Sequence, residues 1–178
     1  MTKILAAFAL VSLLAAPAMA FEEPDSFRGV KWGASRKDLR AQLQRAGDTV
    51  KCEPTIGCRS PVMIGPSPVQ ASYLFTPGED KFEVAYLSFA PMHYAALRTI
   101  FEERYGVPSN VQEQEIQNRM GAKYTNETAI WAGSLVTISL SRYGSKLDQG
   151  RAWIGLTAAL DRQSEKTKGA IKKGKDDL

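Results

Sequence analysis

The sequence predicts an α+β fold, a meandering antiparallel sheet with two amphipathic helices packed on one face. Three observations carry this. Leu39 and Leu43 recur at helical spacing, and so do Tyr94, Leu97, Ile100 and Phe101. Val69, Ala71, Tyr73 and Phe75 alternate with Gln70, Ser72, Leu74 and Thr76, the period of a half-buried strand. Each helical pattern is followed by extended runs separated by short turn clusters.

Taken in order, Phe27–Trp32 reads as one short strand that Gly33 ends, and Ser35 is an N-cap for the first helix. That helix presents Leu39 and Leu43 among Arg36, Lys37, Arg40 and Arg45 and stops near Gly47. A cysteine loop follows. Pro61, Pro66 and Pro68 then suggest an irregular connection around Val62-Met63-Ile64. The alternating run at 69–76, the turn cluster Thr76–Asp80 and the run Phe82–Phe89 read as an antiparallel hairpin. Pro91 suits the first turn of the second helix, which Tyr105-Gly106-Val107-Pro108 terminates. Residues 109–118 are polar and carry no assignment. Strands are expected within Ala122–Trp131, with Asn126 near a bend, and at Leu135–Tyr143 and Arg151–Leu160, the last two joined by a turn at 144–150. From Asp161 to Leu178 the apolar signal fades, and the segment reads as a charged, disordered tail. A shift of 58 residues lays Leu39-Arg40 over Leu97-Arg98, Leu43 over Phe101 and Tyr73 over Trp131, a faint sign of internal duplication.

The N-terminus reads as an export signal. Lys3 supplies a positive start, Ile4–Ala16 is an apolar core of roughly 13 residues, and Ala18-Met19-Ala20 is an A-x-A cleavage site. A spanning helix needs about 20 apolar residues, so an uncleaved anchor is the weaker alternative. Phe21 stands where a lipoprotein would need cysteine. The expectation is cleavage after Ala20, a single domain over 21–160, no transmembrane segment in the mature chain, and a periplasmic or secreted location.

The 178 residues are 44% apolar and 24% charged, the composition of one globular domain. Loss of Lys3 with the leader takes one of 23 basic residues against 19 acidic, leaving +3. Two of those charges belong to the segment from 161, so the body is nearly neutral. Export and a neutral body argue against nucleic-acid binding. The basic segment suits at most weak electrostatic attachment to the envelope.

Cys52 and Cys58 bracket Glu-Pro-Thr-Ile-Gly. In an oxidising compartment such an isolated pair is expected to form a disulfide, and Pro54 and Gly57 favour the turn it needs. The spacing is wrong for a C-x-x-C redox pair, and two thiolates lack the further ligands a soft metal requires.

Phe27-Arg28-Gly29-Val30-Lys31-Trp32-Gly33-Ala34-Ser35, with the helix that follows, and Phe101-Glu102-Glu103-Arg104-Tyr105-Gly106-Val107-Pro108 resemble a loose group of small exported bacterial proteins without assigned activity. The resemblance covers these two stretches alone. It implies a periplasmic α+β domain and supplies no catalytic residues.

Sites of known chemistry are not legible. His93 is the single histidine, at the start of the second helix, and reads as solvated or capping, with no G-x-S-x-G frame to serve. Glu102, Glu103, Glu79, Asp80, Glu113 and Glu115 read as surface charge and not as a hydrolytic pair. No phosphate loop, dinucleotide fingerprint or EF-hand is present, and no cofactor or metal is expected. Trp153, Trp32 and Trp131 are the candidate partner-binding residues, since tryptophan anchors interfaces. Trp153 alternates with Ile154, Leu156 and Leu160, which sets it on the more exposed face. Core packing is the competing role for all three. The reading is a soluble periplasmic binding protein without catalysis, whose partner is another envelope protein. The alternatives are an inhibitor of a secreted or cell-wall hydrolase, and a hydrolase with a carboxylate-based site.

Overall fold

The first structured element is a hairpin rather than the single strand expected. The computed structural model describes residues 21–54 and 57–176, so the expected export signal and the cleavage expected after Ala20 lie outside the described residues. In it, β1 (Ser26–Phe27) pairs antiparallel with β2 (Val30–Lys31) around Arg28 and Gly29. Both turn residues have positive φ, 52° and 77°. Such a turn matches the twist of the strands it joins, and the apolar pattern gave no warning that Arg28 would adopt it. The turn directs the Arg28 guanidinium to both carboxylate oxygens of Asp48, at 2.9 and 2.8 Å.

Helix α1 (Arg36–Arg45) starts where Ser35 Oγ accepts the Asp38 N–H. It buries Leu39 and Leu43. A four-stranded meander follows: β3 (Lys51–Glu53), β4 (Gly57–Ile64), β5 (Ser67–Phe75) and β6 (Phe82–Phe89). The irregular connection expected at 61–68 is thus the β4–β5 hairpin, with Ile64 opposite Ser67. Proline is tolerated in a sheet where its missing N–H faces no neighbour. Pro61 lies beyond the reach of β3, which pairs only with 57–59, and Pro68 lies beyond β6, which pairs β5 from Gln70 onward. Each proline therefore has a neighbouring strand on one side alone.

A 3-10 turn at Pro91–His93 leads into α2 (Tyr94–Tyr105), which buries Tyr94, Leu97 and Phe101. A second meander follows: β7 (Asn110–Gln117), β8 (Lys123–Ala132), β9 (Val136–Ser141) and β10 (Gly150–Leu156). The polar stretch at 109–118 is therefore largely a strand; it lies on a sheet edge and has no face to bury, so it lacks the apolar alternation that marks the others. The eight strands are ordered β3-β4-β5-β6-β10-β9-β8-β7, all neighbours antiparallel. Each helix thus precedes a four-stranded meander, and the last strands of the two meanders meet at the centre of the sheet. The 58-residue shift aligns the helices, but it lays Tyr73 of β5, third in its meander, on Trp131 of β8, second in the other.

One row of alternating residues from the sheet enters the core. Val62, Ala71, Tyr73, Ala85, Leu87, Ala129, Trp131, Ile138, Leu140, Ala152 and Ile154 share one buried cluster with Leu39 and Leu43 of α1 and Tyr94, Leu97 and Phe101 of α2. A bulge between Leu74 and Phe75 brings Phe75 opposite Phe82, and the Phe82 ring lies 5.0 Å from Trp32 and 5.7 Å from Tyr73.

The last strand ends at Leu156, short of the expected Leu160, and the chain continues as α3 (Thr157–Asp176). This corrects the disordered tail expected from 161. Its first turn is packed, with Ala159 buried, whereas residues 161–172 are all exposed. Ala, Arg, Gln, Glu and Lys are good helix formers, and Glu165 pairs with Lys168 one turn on. Local propensity thus builds a helix where no apolar stripe announced one. Among the described residues no helix is long and apolar enough to cross a membrane.

Candidate functional site

Side chains alternate across a strand, so the residues between the core positions form a second, outward face. The registers trace one row across all eight strands: Lys51, Arg59, Ser72, Tyr86, Trp153, Ser139, Ile130 and Asn110. A parallel row holds Pro61, Gln70, Ser88, Arg151, Ser141 and Thr128. None of these residues belongs to the core cluster.

The centre of the face is aromatic. Tyr86 of β6 and Trp153 of β10 are directly opposite, with ring centroids 4.5 Å apart and planes tilted by 48°. Both are half-buried. Such a cross-strand pair is held by the central ladder, so its rings are presented on a rigid base. Arg151 stands beside Trp153 in the next row. Towards β3 the face hollows into a groove of about 610 Å³ lined by Lys51, Glu53, Arg59, Gln70, Ser72 and Ser88. Among the described residues neither Arg59 nor Arg151 has a carboxylate within ion-pair distance. Towards β8 the face is hydroxyl-rich, with Thr128 Oγ1 and Ser141 Oγ sharing a 2.9 Å hydrogen bond.

Helix α3 closes one end. Thr157 donates its N–H to the Leu135 carbonyl at 2.9 Å, its Oγ1 lies 2.9 Å from Thr137 Oγ1, and Arg162 pairs with Glu83 at 2.6 Å. Val84, an outward residue opposite Gly155, is buried there yet lies outside the core cluster.

The three tryptophans have separate fates. Trp131 is fully buried, donates Nε1–H to the Gly106 carbonyl at 2.7 Å and lies 5.9 Å from Phe101. Trp32 packs partly buried against the core and donates to the Pro24 carbonyl at 2.7 Å. Trp153 alone is on the outward face. The structure does not bring the three together. Tyr86, Arg59 and Arg151, which accompany Trp153, carry no motif; the only signal for Tyr86 is its place opposite Ala85 and Leu87 in a strand alternation.

Cys52 and Cys58 are directly opposite in the β3–β4 ladder and form a disulfide, Cα–Cα 4.0 Å. His93 makes no capping hydrogen bond through its side chain. The acidic residues named from the sequence fall in three places: the turn at 79–80, α2 and β7. Glu102 pairs with Arg98, Glu79 with Lys81 and Asp80 with Arg36. Glu113 and Glu115 lie on β7, and Glu103 is exposed on α2. The grooves lined by Glu53, Asp48, Asp80 and Asp148 each hold that one carboxylate. Among the described residues no three His, Cys, Asp or Glu side chains cluster as metal ligands would.

The perturbed groups are structural. Glu23 is the most telling: its carboxylate accepts the N–H groups of Ser134, Leu135 and Val136 at 3.0, 2.7 and 2.6 Å. These bonds, that to Val136 foremost, hold its pKa below the usual glutamate range and clamp the N-terminal segment to the β8–β9 turn. Burial drives the Tyr94 hydroxyl well above the ordinary tyrosine range, reinforced by its 2.8 Å donation to Glu127. Burial does the same for Tyr73.

Chemically, the outward face offers two guanidiniums for carboxylates, two aromatic rings for apolar or planar groups, and hydroxyls and amides for hydrogen bonds. Compared with protein-family models, curated proteins and solved structures, the chain matches none.

Proposed function

We propose that this is an exported, non-catalytic binding protein of the periplasm or the medium, and that it engages another envelope protein through the outward face of its sheet. The Tyr86–Trp153 pair carries the reading: two large half-buried rings at the centre of a face that lies outside the core. Aromatic and arginine side chains are enriched where protein interfaces concentrate their energy. Lys51, Arg59 and Arg151 outnumber Glu53 on this face, so the complementary partner surface is acidic. Export is supported by the N-terminal pattern, by the resemblance to exported proteins and by the disulfide, which oxidising compartments sustain. An inhibitor of a secreted hydrolase would use the same face and is the narrower form of this reading. Exposed Lys166, Lys168 and Lys172 on α3 suit additional weak, salt-sensitive attachment to an anionic surface.

The test is photo-crosslinking in the native envelope from probes placed at Ser139 and Gln70, with a probe at Lys37 on α1 as control. Capture from the outward face is expected, with Trp153→Ala reducing it by at least about tenfold, since an interface hot spot exceeds 1.4 kcal/mol. Equal capture from Lys37, or full capture by Trp153→Ala, would overturn the assignment.

A further inference from the structure

The two edges of the sheet are treated differently. At one edge β3 has three residues, its ladder is stapled by Cys52–Cys58, and the stretch of β4 beyond it contains Pro61. These are devices that blunt an edge. At the other edge β7 runs for eight residues, Asn110–Gln117, without proline or glycine, and pairs with β8 in an unbroken register. All of its residues except Ile116 are exposed.

The backbone polarity of that edge follows from the ladder. Asn118 donates its N–H to the Ala122 carbonyl at 2.9 Å. Hydrogen-bonded pairs alternate along an antiparallel ladder, so Gln112, Gln114 and Ile116 turn their amides to β8. Val111, Glu113 and Glu115 turn theirs outward. The Arg142 N–H bond to the Glu127 carbonyl, at 3.0 Å from the β9 side, fits the same phase.

Two glutamates decide what the edge accepts. Glu113 and Glu115 share the core side of the sheet with Val111, which is opposite Ala129. Glu115 has Lys123 at 2.8 Å. Glu113 lies opposite Glu127, whose carboxylate is already engaged by Tyr94 and, at 3.5 Å, by Arg98. Among the described residues Glu113 has no cation of its own. Symmetric antiparallel pairing of two β7 strands over most of their length sets glutamate against glutamate, which disfavours a second copy.

We infer that β7 is a strand-addition site, and that its occupant is an extended segment of another protein carrying lysine or arginine at alternate positions. The segment's backbone would take up the outward amides of Val111, Glu113 and Glu115, and its cations would face Glu113 and Glu115. Its intervening side chains would lie along Asn110, Gln112 and Gln114.

The test is titration of the full, isotopically labelled chain with an octapeptide of alternating lysine and threonine, against its glutamate–threonine counterpart. The lysine peptide should slow hydrogen exchange at Val111, Glu113 and Glu115 and bind at least about threefold more tightly than the counterpart, the scale of two exposed edge pairs. Glu113→Lys with Glu115→Lys should reverse the preference. Val111→Pro, which removes an outward donor and leaves the β8 ladder and both glutamates in place, should weaken binding of the lysine peptide. Trp153→Ala should leave it unchanged, which separates this site from the outward face. Equal binding of the two peptides, unchanged exchange at the three amides, or protection mapping to Tyr86 and Trp153 would overturn the inference.

Discussion

Replacing Leu97 by alanine tests how the sheet and α2 are joined. Leu97 is 0% exposed, between Tyr94 and Phe101 on the buried stripe of α2. The substitution removes three carbons. At about 0.8 kcal/mol per buried carbon, transfer alone costs about 2.4 kcal/mol. The cavity left against a sheet that cannot fully collapse raises the total to about 3 to 4 kcal/mol. For a domain of this length that lowers Tm by about 6 to 16 °C. The assay is urea unfolding followed by circular dichroism and by tryptophan fluorescence, to which Trp131, 5.9 Å from Phe101 one turn further along α2, contributes from the core. Leu135→Ala, at a site 71% exposed, is the control and should change stability by no more than about 0.5 kcal/mol. A Leu97→Ala cost within that same range, with an unchanged m-value, would refute the placement of α2 in the core.

Glu23→Gln should lower Tm at neutral pH. The folded pKa of Glu23 lies below its unfolded value, so its contribution is present above the ordinary glutamate pKa and disappears as pH falls through the folded one; the Tm gap between parent and variant should close on acidification, as read by thermal scans across pH. Truncation after Arg162 keeps the ion pair to Glu83 and removes the exposed helix over 163–172, so stability should fall by less than about 1 kcal/mol in chemical denaturation. Alkylation without reductant should label neither Cys52 nor Cys58, and reduction should destabilise the domain by about 2 to 2.5 kcal/mol, the chain entropy of so short a loop.

Residues whose role is set by their immediate neighbours were legible. The Ser35 cap of α1, the apolar stripes of α1 and α2, the alternation of β5 and β6 and the cysteine pair could all be read locally, because helical and strand periodicity are properties of short segments. The misreadings share one cause. Pro61 and Pro68 looked like breaks until the reach of β3 and β6 showed that neither proline lies between two strands. Residues 109–118 carried no assignment because an edge strand with both faces wet has no pattern to display. The segment after 156 looked like a tail because helix propensity without packing leaves no apolar stripe.

The sequence by itself determined the class of fold, the disulfide partners and which side of β10 Trp153 would take. Only the tertiary structure decided that Trp153 meets Tyr86, that Arg59 and Arg151 share their face, and that Glu23 reaches the β8–β9 turn. These pairings join residues far apart in the chain. They depend on β6 and β10 meeting at the centre of the sheet, and that choice rests on how the two meanders bury their core faces against α1 and α2, a property of no single segment.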